Sequence, residues 1–209
     1  MRKHDAFILL FLFGLRFFTN AQSTKGQSVI QDNAVVLSDD EKELFKERTL
    51  EKVNDFQNSL SLMSSKNLTA DEKKVNKEVA AELFINKGIT VVMEVSYRST
   101  VTGEISKKNR PLLAYFDNLC NLPYATIEFR TAKACHVSNW YQKGTDSNGN
   151  PVYEATATYY QEFIGYRKDG NSYHDITQKT VRVEIRWSTD LAGARWVVLL
   201  GDVGIVETK

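Results

Sequence analysis

One uninterrupted strand-like segment, from Val152 to Tyr166, constrains the fold of this chain more than any other feature. A straight strand of that length spans ~50 Å, whereas a globular domain of this size is only about 40 Å across. The strand must therefore coil, bend at a bulge or break, and bending costs little at Gly165, Ala155 and Ala157. A strongly curved antiparallel sheet has a concave face, and we expect helices to fill it.

The run from Tyr124 to Thr208 has the pattern of a meander of four long β-segments. Three clusters of turn residues separate these segments: Asp146 to Pro151, Asp169 to Asn171, and Ser188 to Gly193. The Asp-Gly pair in the second cluster is the strongest short-range hairpin signal that a sequence offers. The sequence therefore predicts that consecutive segments pair as antiparallel hairpins.

Two capping boxes predict where helices begin upstream of this meander. Ser38 with Glu41 precedes the first helix, and Thr69 with Glu72 precedes the second. Apolar residues then recur at helical spacing. They predict the buried faces, which are Phe45, Val53, Phe56, Leu60 and Met63 in the first helix and Val75, Val79, Ala80, Leu83 and Phe84 in the second.

Two strands and a third helix complete the predicted order of elements. Alternating apolar residues predict a strand from Ile89 to Arg98, followed by a shorter strand around Ile105. Pro111 fits the first position of the third helix. The buried side of that helix is predicted to be Leu112, Leu113, Phe116 and Leu119. The order is therefore helix, helix, strand, strand, helix, then four long strands.

This order resembles the cone-shaped α+β fold of the nuclear transport factor 2-like superfamily, which includes SnoaL-like and ketosteroid-isomerase-like proteins. The resemblance rests on element order and strand length and covers nearly all of residues 38–209, which we predict to form a single domain. It implies that the N-terminal helices pack in the concave face of a strongly curved antiparallel sheet, with an opening at the wide end of the cone. The family includes enzymes, small-molecule binders and interaction modules, and the fold alone does not choose among them.

The first 21 residues have the composition of a secretory signal peptide. Arg2 and Lys3 precede an apolar run from Ala6 to Phe18, which is shorter than the ~20 residues of a membrane-spanning helix. Small residues then end at Ala21, where we expect cleavage. A flexible leader over residues 22–37 follows. We expect export to the periplasm or the extracellular space, without membrane insertion of the processed protein; an uncleaved N-terminal anchor is the alternative.

Charge and motifs argue against several classes of function. Without Arg2, Lys3, Arg16 and Asp5, the 27 basic and 26 acidic residues become 24 and 25. This balance is unlike that of a nucleic-acid-binding protein, so we expect no nucleic-acid partner. The sequence has neither a His-Glu-x-x-His nor a Cys-x-x-Cys motif, and we expect no metal and no cofactor.

The two cysteines, Cys120 and Cys135, leave two states open. Export permits a disulfide, which would contribute ~3 kcal/mol for a loop this short. A straight strand, however, would hold the two residues beyond disulfide reach. A bridge and a pair of buried thiols both stay compatible with the sequence.

Alternation along the long strands predicts which residues face the helices. The two inward faces are Val181, Val183, Ile185 and Trp187 on one strand and Tyr153, Ala155, Ala157 and Tyr159 on its neighbour. The alanines leave room beneath the sheet, and aromatic residues bring polar tips to apolar walls. We therefore predict Tyr97, Tyr153, Tyr159 and Trp187 as the walls of a pocket for a small apolar ligand. A closely packed core is the alternative.

The last strand, Arg195 to Val206, is apolar on both faces. Since helices cover only one face of the sheet, the other face would remain as an apolar patch. We place that patch on Trp196, Val198 and Leu200 and predict that it binds a second copy of the chain, as a homodimer, or a protein partner of the cell envelope.

Signals for catalysis are few. Ketosteroid-isomerase-like enzymes use a carboxylate base and an acidic donor inside the cone, but the predicted inner faces carry no carboxylate apart from Asp175 near the rim. His136 is the alternative base, and its orientation depends on a bulge near Thr131 to Lys133. We therefore predict an exported, non-enzymatic module that binds a ligand or a protein. The alternative is a SnoaL-like isomerase or hydrolase with a pocket histidine.

Overall fold

Residues 36–86, 88–98, 105–190 and 193–208 are described in the computed structural model of the protein, without the side chains of residues 93–98, 105–107, 131–135 and 190. The proposed signal peptide and nearly all of the leader lie outside the described residues. Cleavage and export therefore stay predictions.

Both N-terminal helices begin at the predicted capping boxes. They are α1 (Asp39–Ser64) and α2 (Ala70–Ala81). At the start of α1, Ser38 Oγ accepts a hydrogen bond from the Glu41 backbone N–H, and Glu41 Oε2 accepts one from the Ser38 backbone N–H at 2.8 Å. Thr69 and Glu72 form the same reciprocal pair at α2. These side chains satisfy backbone donors that have no partner within the helix.

The predicted buried face of α1 is confirmed, but part of that of α2 is wrong. In α1 all five predicted residues are buried: Phe45, Val53, Phe56, Leu60 and Met63. In α2, Val75 and Val79 are 58% and 59% exposed, and Ala80 and Ala81 are the buried residues. Because α2 buries only its last turn, small alanine side chains meet the core in place of the valines.

The strands form one mixed sheet. They are β1 (Thr90–Arg98), β2 (Ile105–Pro111), β3 (Thr126–Val137), β4 (Tyr141–Thr145), β5 (Pro151–Tyr166), β6 (Ser172–Asp190) and β7 (Gly193–Thr208), and α3 (Leu112–Cys120) lies between β2 and β3. Within the described residues the order is β2-β1-β7-β6-β5-β3, with β4 paired to β5. Neighbours are antiparallel except β1 and β7, which are parallel. The predicted first long segment is divided into β3 and β4, which pair with successive parts of β5.

The predicted α+β architecture is confirmed, with three helices packed against a curved, unclosed sheet. β5, β6 and β7 contain 16, 19 and 16 residues without interruption. Their length is therefore accommodated by curvature and not by division into shorter strands. The helices and the concave face share one apolar core, to which Phe56 and Phe116 contribute from the helices and Ala157 and Val183 from the sheet. Leu113 of α3, predicted as buried, is exposed.

The predicted hairpin turns join the long strands. Asp146 Oδ1 accepts hydrogen bonds from the backbone N–H groups of Asn148 and Asn150, at 2.8 and 2.9 Å, between β4 and β5. Between β5 and β6, Gly170 has a φ of 85°, which favours glycine. These turns hold β5 and β6 in register from Tyr153 opposite Ile185 to Tyr166 opposite Ser172.

Candidate functional site

A cavity of about 410 Å³ opens beneath the end of the sheet where the turn between β5 and β6 lies. Its walls come from β3, β5, β6, β7, the end of β2, α3 and the segment that follows α3. The α3 side includes Tyr115 and Leu119, and the following segment contributes Leu122 and Tyr124. The cavity therefore lies on the concave face, between the helical layer and the sheet.

Four aromatic rings form one continuous wall of this cavity. Phe163 is at the centre, and the rings of Tyr124, Phe129 and Tyr173 lie at 5.6, 5.4 and 5.9 Å from it, each in an edge-to-face arrangement. Such pairs contribute beyond the apolar area that they bury. The wall is therefore a preformed apolar surface.

Gly165 positions the Tyr124 ring against the strand. A Cβ atom at residue 165 would lie only 2.6 Å from the Tyr124 ring carbons Cδ1 and Cε1. The ring thus packs directly on the β5 backbone, at a distance that only glycine permits. The Arg167 guanidinium lies over the same ring, with its Cζ atom 6.0 Å from the centroid.

The sheet side of the cavity is polar, although it continues the inward face of the core strands. Gln161 is 2% exposed, Lys179 is 8% exposed, and Thr177 is also buried. Gln161 lies directly opposite Thr177, so the two side chains share the concave face. The Gln161 Nε2 atom is buried and has no hydrogen-bond partner within the part of the chain that the structure describes. A buried amide N–H without a hydrogen-bond acceptor lowers the stability of the fold, unless a ligand or a solvent molecule accepts the hydrogen bond.

Positive charge predominates among the lining residues. Arg110, Arg167 and Lys179 are basic, and Asp175 is the acidic residue among the described residues that line the cavity. The Thr177 hydroxyl donates to Asp175 Oδ1 at 3.4 Å. Burial raises the pKa of the Tyr115 phenol, so this hydroxyl stays protonated. The formal charge of the lining is +2.

The predicted pocket residues lie elsewhere on the same face. Tyr153 and Tyr159 are buried in the core, and the Tyr153 hydroxyl accepts a hydrogen bond from the Leu37 backbone N–H at 3.2 Å. The half-buried Trp187 packs edge to face on Trp196, with centroids 5.2 Å apart. None of these residues lines the cavity. The side chain of Tyr97 lies outside the described residues.

The register of β7 corrects the predicted interface patch. Val198 lies opposite Ile185, and Leu200 lies opposite Val183. Residues directly opposite each other share a face, so Trp196, Val198 and Leu200 point toward the helices, where all three are buried. Val197 and Leu199 occupy the convex face instead. Assigning this face required the cross-strand register, which strand alternation alone does not supply; the homodimer and the envelope partner stay predictions.

Both histidines within the described residues lie on the convex face. His136 is exposed and pairs with Thr158, whose neighbour Ala157 points into the core. The strand register shifts between Thr131 and Lys133, where a bulge would set the orientation of His136, and it shifts again before His136. His174 contacts Glu162 at 2.8 Å. The cavity lies on the opposite, concave side of the sheet, so His136 cannot act as a base in the cavity.

Cys120 is a free thiol, and its sulfur lies 3.5 Å from the carbonyl oxygen of Met63. The side chain of Cys135 lies outside the described residues. No group of three or more His, Cys, Asp or Glu side chains is placed to hold a metal ion in the described part of the chain. Nor does any helix in that part have the length and apolar character needed to cross a bilayer.

The lining residues Gln161, Thr177 and Lys179 were missed in the sequence, although a signal for them exists there. Alternation places Gln161 on the inward face after Tyr159, and Lys179 and Thr177 on the inward face before Val181. Polar residues at inward positions of two adjacent strands predict a break in the core. Asp175, the one inner carboxylate that the sequence predicts, does line the cavity.

No family model matches this chain. No curated protein matches it. Similar solved structures include the association domain of C. elegans CaMKII, which is 11% identical with a TM-score of 0.44 over 80% of this chain and 99% of that one. The intermembrane space region of the chloroplast protein ARC6 is 15% identical, with a TM-score of 0.38 over 77% of this chain and 95% of that one. The β subunit of a putative aromatic-ring-hydroxylating dioxygenase from Novosphingobium aromaticivorans is 15% identical, with a TM-score of 0.37 over 78% and 90%.

Each of these similarities concerns the fold alone. The described residues have the α+β architecture that the order of elements implies, with three helices against one curved, unclosed mixed sheet. The resemblance seen in the order of elements is therefore confirmed at the level of architecture. None of these similarities indicates a function for this chain.

Proposed function

We propose that this protein is an exported, non-enzymatic module that binds a small amphipathic organic molecule in the cavity beside Phe163. The observation that carries the proposal is the pairing of a preformed aromatic wall with the buried, unpartnered amide of Gln161. The apolar part of the ligand would pack on the aromatic wall, and a polar group of the ligand would accept a hydrogen bond from the Gln161 amide.

The size and lining of the cavity support this function. Small-molecule sites have volumes of roughly 300–1,000 Å³, with mostly apolar walls and a few polar groups that fix orientation. A volume of about 410 Å³ suits a molecule of two or three rings. The walls are Tyr124, Phe129, Phe163 and Tyr173, in place of the aromatic residues that strand alternation suggested.

A binding role accounts for these features better than the alternative of SnoaL-like catalysis. Acid–base catalysis requires a titratable group within hydrogen-bond reach of the reacting atoms. His136, the proposed base, lies on the convex face. Asp175 is therefore the candidate carboxylate base among the described lining residues. Its Oδ1 atom accepts a hydrogen bond from the Thr177 hydroxyl, so this oxygen is already engaged within the protein.

Fluorescence of two naphthalene probes tests the proposal. N-phenyl-1-naphthylamine and 8-anilinonaphthalene-1-sulfonate share one apolar frame, and both emit more strongly in an apolar site. We expect saturable emission with at least one probe and its loss in Ile205→Trp, because residue 205 lines the cavity and the indole would fill it. Val206→Trp is the matched control, since Val206 is exposed on the neighbouring position. Binding of neither probe, or equal loss in both variants, would refute the proposal.

Export has a separate test. Expression of the full chain with a C-terminal tag, followed by mass spectrometry of the cell-envelope and medium fractions, gives the mature N-terminus. Our proposal expects cleavage after Ala21, so that the product begins at Gln22. A product that retains residues 1–21 in the membrane fraction would show the uncleaved anchor instead.

A further inference from the structure

We propose that the ligand of this cavity is an organic anion, a ring compound whose carboxylate or sulfonate group is bound between Lys179 and Gln161. This inference rests on the proposed function and narrows the class of molecule that the cavity binds. Three features support it: the charge of the lining, the unpartnered amide of Gln161 and the register of β5 and β6.

The charge of the lining selects the sign of the ligand. Three basic side chains and one acidic side chain surround the cavity, and Lys179 is only 8% exposed. A charge with little exposure to water interacts more strongly than one on the surface. The cavity therefore favours an anion over a neutral molecule of the same shape, and it disfavours a cation.

The amide of Gln161 requires a hydrogen-bond acceptor on the ligand. Its Nε2 atom is buried and lacks a hydrogen-bond partner among the described residues. This nitrogen donates and does not accept. A ligand that completes it must bring an acceptor oxygen, and hydrogen bonds to a charged acceptor are the stronger ones.

The register of β5 and β6 places the two donors next to each other. Gln161 is opposite Thr177, and Lys179 is opposite Tyr159, so Gln161 and Lys179 are diagonal neighbours on the concave face. Diagonal neighbours lie roughly 7 Å apart at their backbones, within reach of long side chains. A group with two acceptor oxygens can bridge an amide and an ammonium over such a distance. The aromatic wall around Phe163 then takes the rings of the ligand.

Asp175 is the acidic group that faces this arrangement. It lies two residues before Thr177 on the same face of β6, toward the turn, and the Thr177 hydroxyl donates to it. Lys179 lies two residues to the other side of Thr177, deeper under the sheet. The anionic end of the ligand should accordingly lie on the Lys179 side, with its rings toward Phe163 and Tyr173.

The two naphthalene probes also test this inference, because they differ only in the sulfonate. We expect wild-type protein to bind 8-anilinonaphthalene-1-sulfonate at least tenfold more tightly than N-phenyl-1-naphthylamine, as hydrogen bonds to a charged group predict. Lys179→Met should remove most of that preference and leave binding of the uncharged probe nearly unchanged. Lys74→Met, an exposed lysine of α2 that does not line the cavity, is the control.

A second pair of variants tests the amide. Gln161→Leu should weaken binding of the sulfonate several-fold, whereas Gln178→Leu, on the convex face of β6, should not. Lys179→Arg keeps the charge and should keep the preference. Equal affinity of wild-type protein for both probes would overturn the inference while leaving the proposed function intact. So would an equal effect of Lys179→Met on both probes; binding of neither probe refutes the proposed function itself.

Discussion

The concave face of β5 and β6 has two halves, one packed into the core and one lining the cavity. In the closed half, Tyr153 and Ala155 of β5 lie opposite Ile185 and Val183 of β6, and all four side chains are buried in the core. In the open half, near the turn between the two strands, Gln161 lies opposite Thr177 and borders a cavity. The same strands, in the same register, thus change from a filled core to a lined cavity.

This difference shows how a curved sheet divides its interior. Apolar side chains of complementary size fill the closed half, and α1 covers it with residues such as Phe45 and Phe56. In the open half, inward polar side chains cannot be covered by an apolar helix without loss of their hydrogen bonds. The fold therefore keeps a cavity where its inward residues are polar.

The largest expected effect comes from a truncation in the closed half. Ile185→Ala removes a fully buried side chain and should lower the free energy of unfolding by about 2–5 kcal/mol. Ile205→Ala, in a lining residue of the open half, should cost less, because the new space joins an existing cavity. Urea denaturation followed by tryptophan fluorescence measures both. Equal losses in the two variants would contradict the division into two halves.

A glycine substitution tests the wall of the open half. Gly165→Ala places a methyl group against the Tyr124 ring and should lower the free energy of unfolding by about 1–3 kcal/mol. The displaced ring should also alter probe emission in the cavity. The double variant Gly165→Ala, Tyr124→Ala should show less than the sum of the two single losses, measured by the same denaturation curves. Strict additivity would show that Gly165 does not act through Tyr124.

Much of the fold can be predicted from the sequence because it follows from local rules. The capping boxes at Ser38 and Thr69 and the turns at Asp146 and Gly170 depend on residues adjacent in the chain. The exposed Val75 shows the limit of this reasoning, since spacing predicts an apolar face and not whether another element covers it. The parallel pairing of β1 with β7 likewise joins elements distant in the chain.

The site could be predicted only in part. Alternation assigns Tyr159 to the concave face correctly. No feature of the local sequence, however, distinguishes an inward residue of the core from one that lines a cavity. The faces of β7 required its register with β6, which shifts between Val181 and Val183. That shift brings Val203 to the same face as Leu200, against strict alternation. The sequence signal for the open half is the polar residue Gln161 at an inward position of β5.

A third prediction has the opposite sign from the first two. Gln161→Leu replaces a buried, unpartnered amide with an apolar side chain of similar size. We expect the free energy of unfolding to rise by about 1 kcal/mol, because the cost of the unsatisfied donor is removed. No equivalent substitution exists in the closed half, because the inward residues of β5 and β6 there are already apolar. A fall in stability would show that the amide is satisfied within the protein, and the open half would then be an ordinary polar core.

Behind the closed half, the convex face carries paired charges. Glu154 and Glu184 lie directly opposite each other on β5 and β6. Lys143 of β4 bridges them, with its Nζ 2.8 Å from Glu154 Oε2 and 2.9 Å from Glu184 Oε1. Arg186 also contacts Glu184, whose side chain is almost fully buried. The closed half thus keeps its charged groups outside the core, where they are neutralised within the protein.

The smallest expected effect is a pH dependence that arises from this cluster. Desolvation alone would raise the pKa of Glu154, but hydrogen bonds from Lys143 and Tyr141 outweigh it and hold this pKa below its ordinary value of 4.5. A carboxyl with a lowered pKa in the folded state stabilises the fold above about pH 4.5 and loses that contribution as the pH falls through its folded pKa. Glu154→Gln should therefore flatten the decline in stability below pH 4.5, by about 1 kcal/mol or less for a partly solvated pair. Urea midpoints at pH 7 and pH 3.5 measure the change, with Glu51→Gln on the exposed side of α1 as the control. An unchanged decline in Glu154→Gln would mean that the bridge through Lys143 contributes nothing to the closed half.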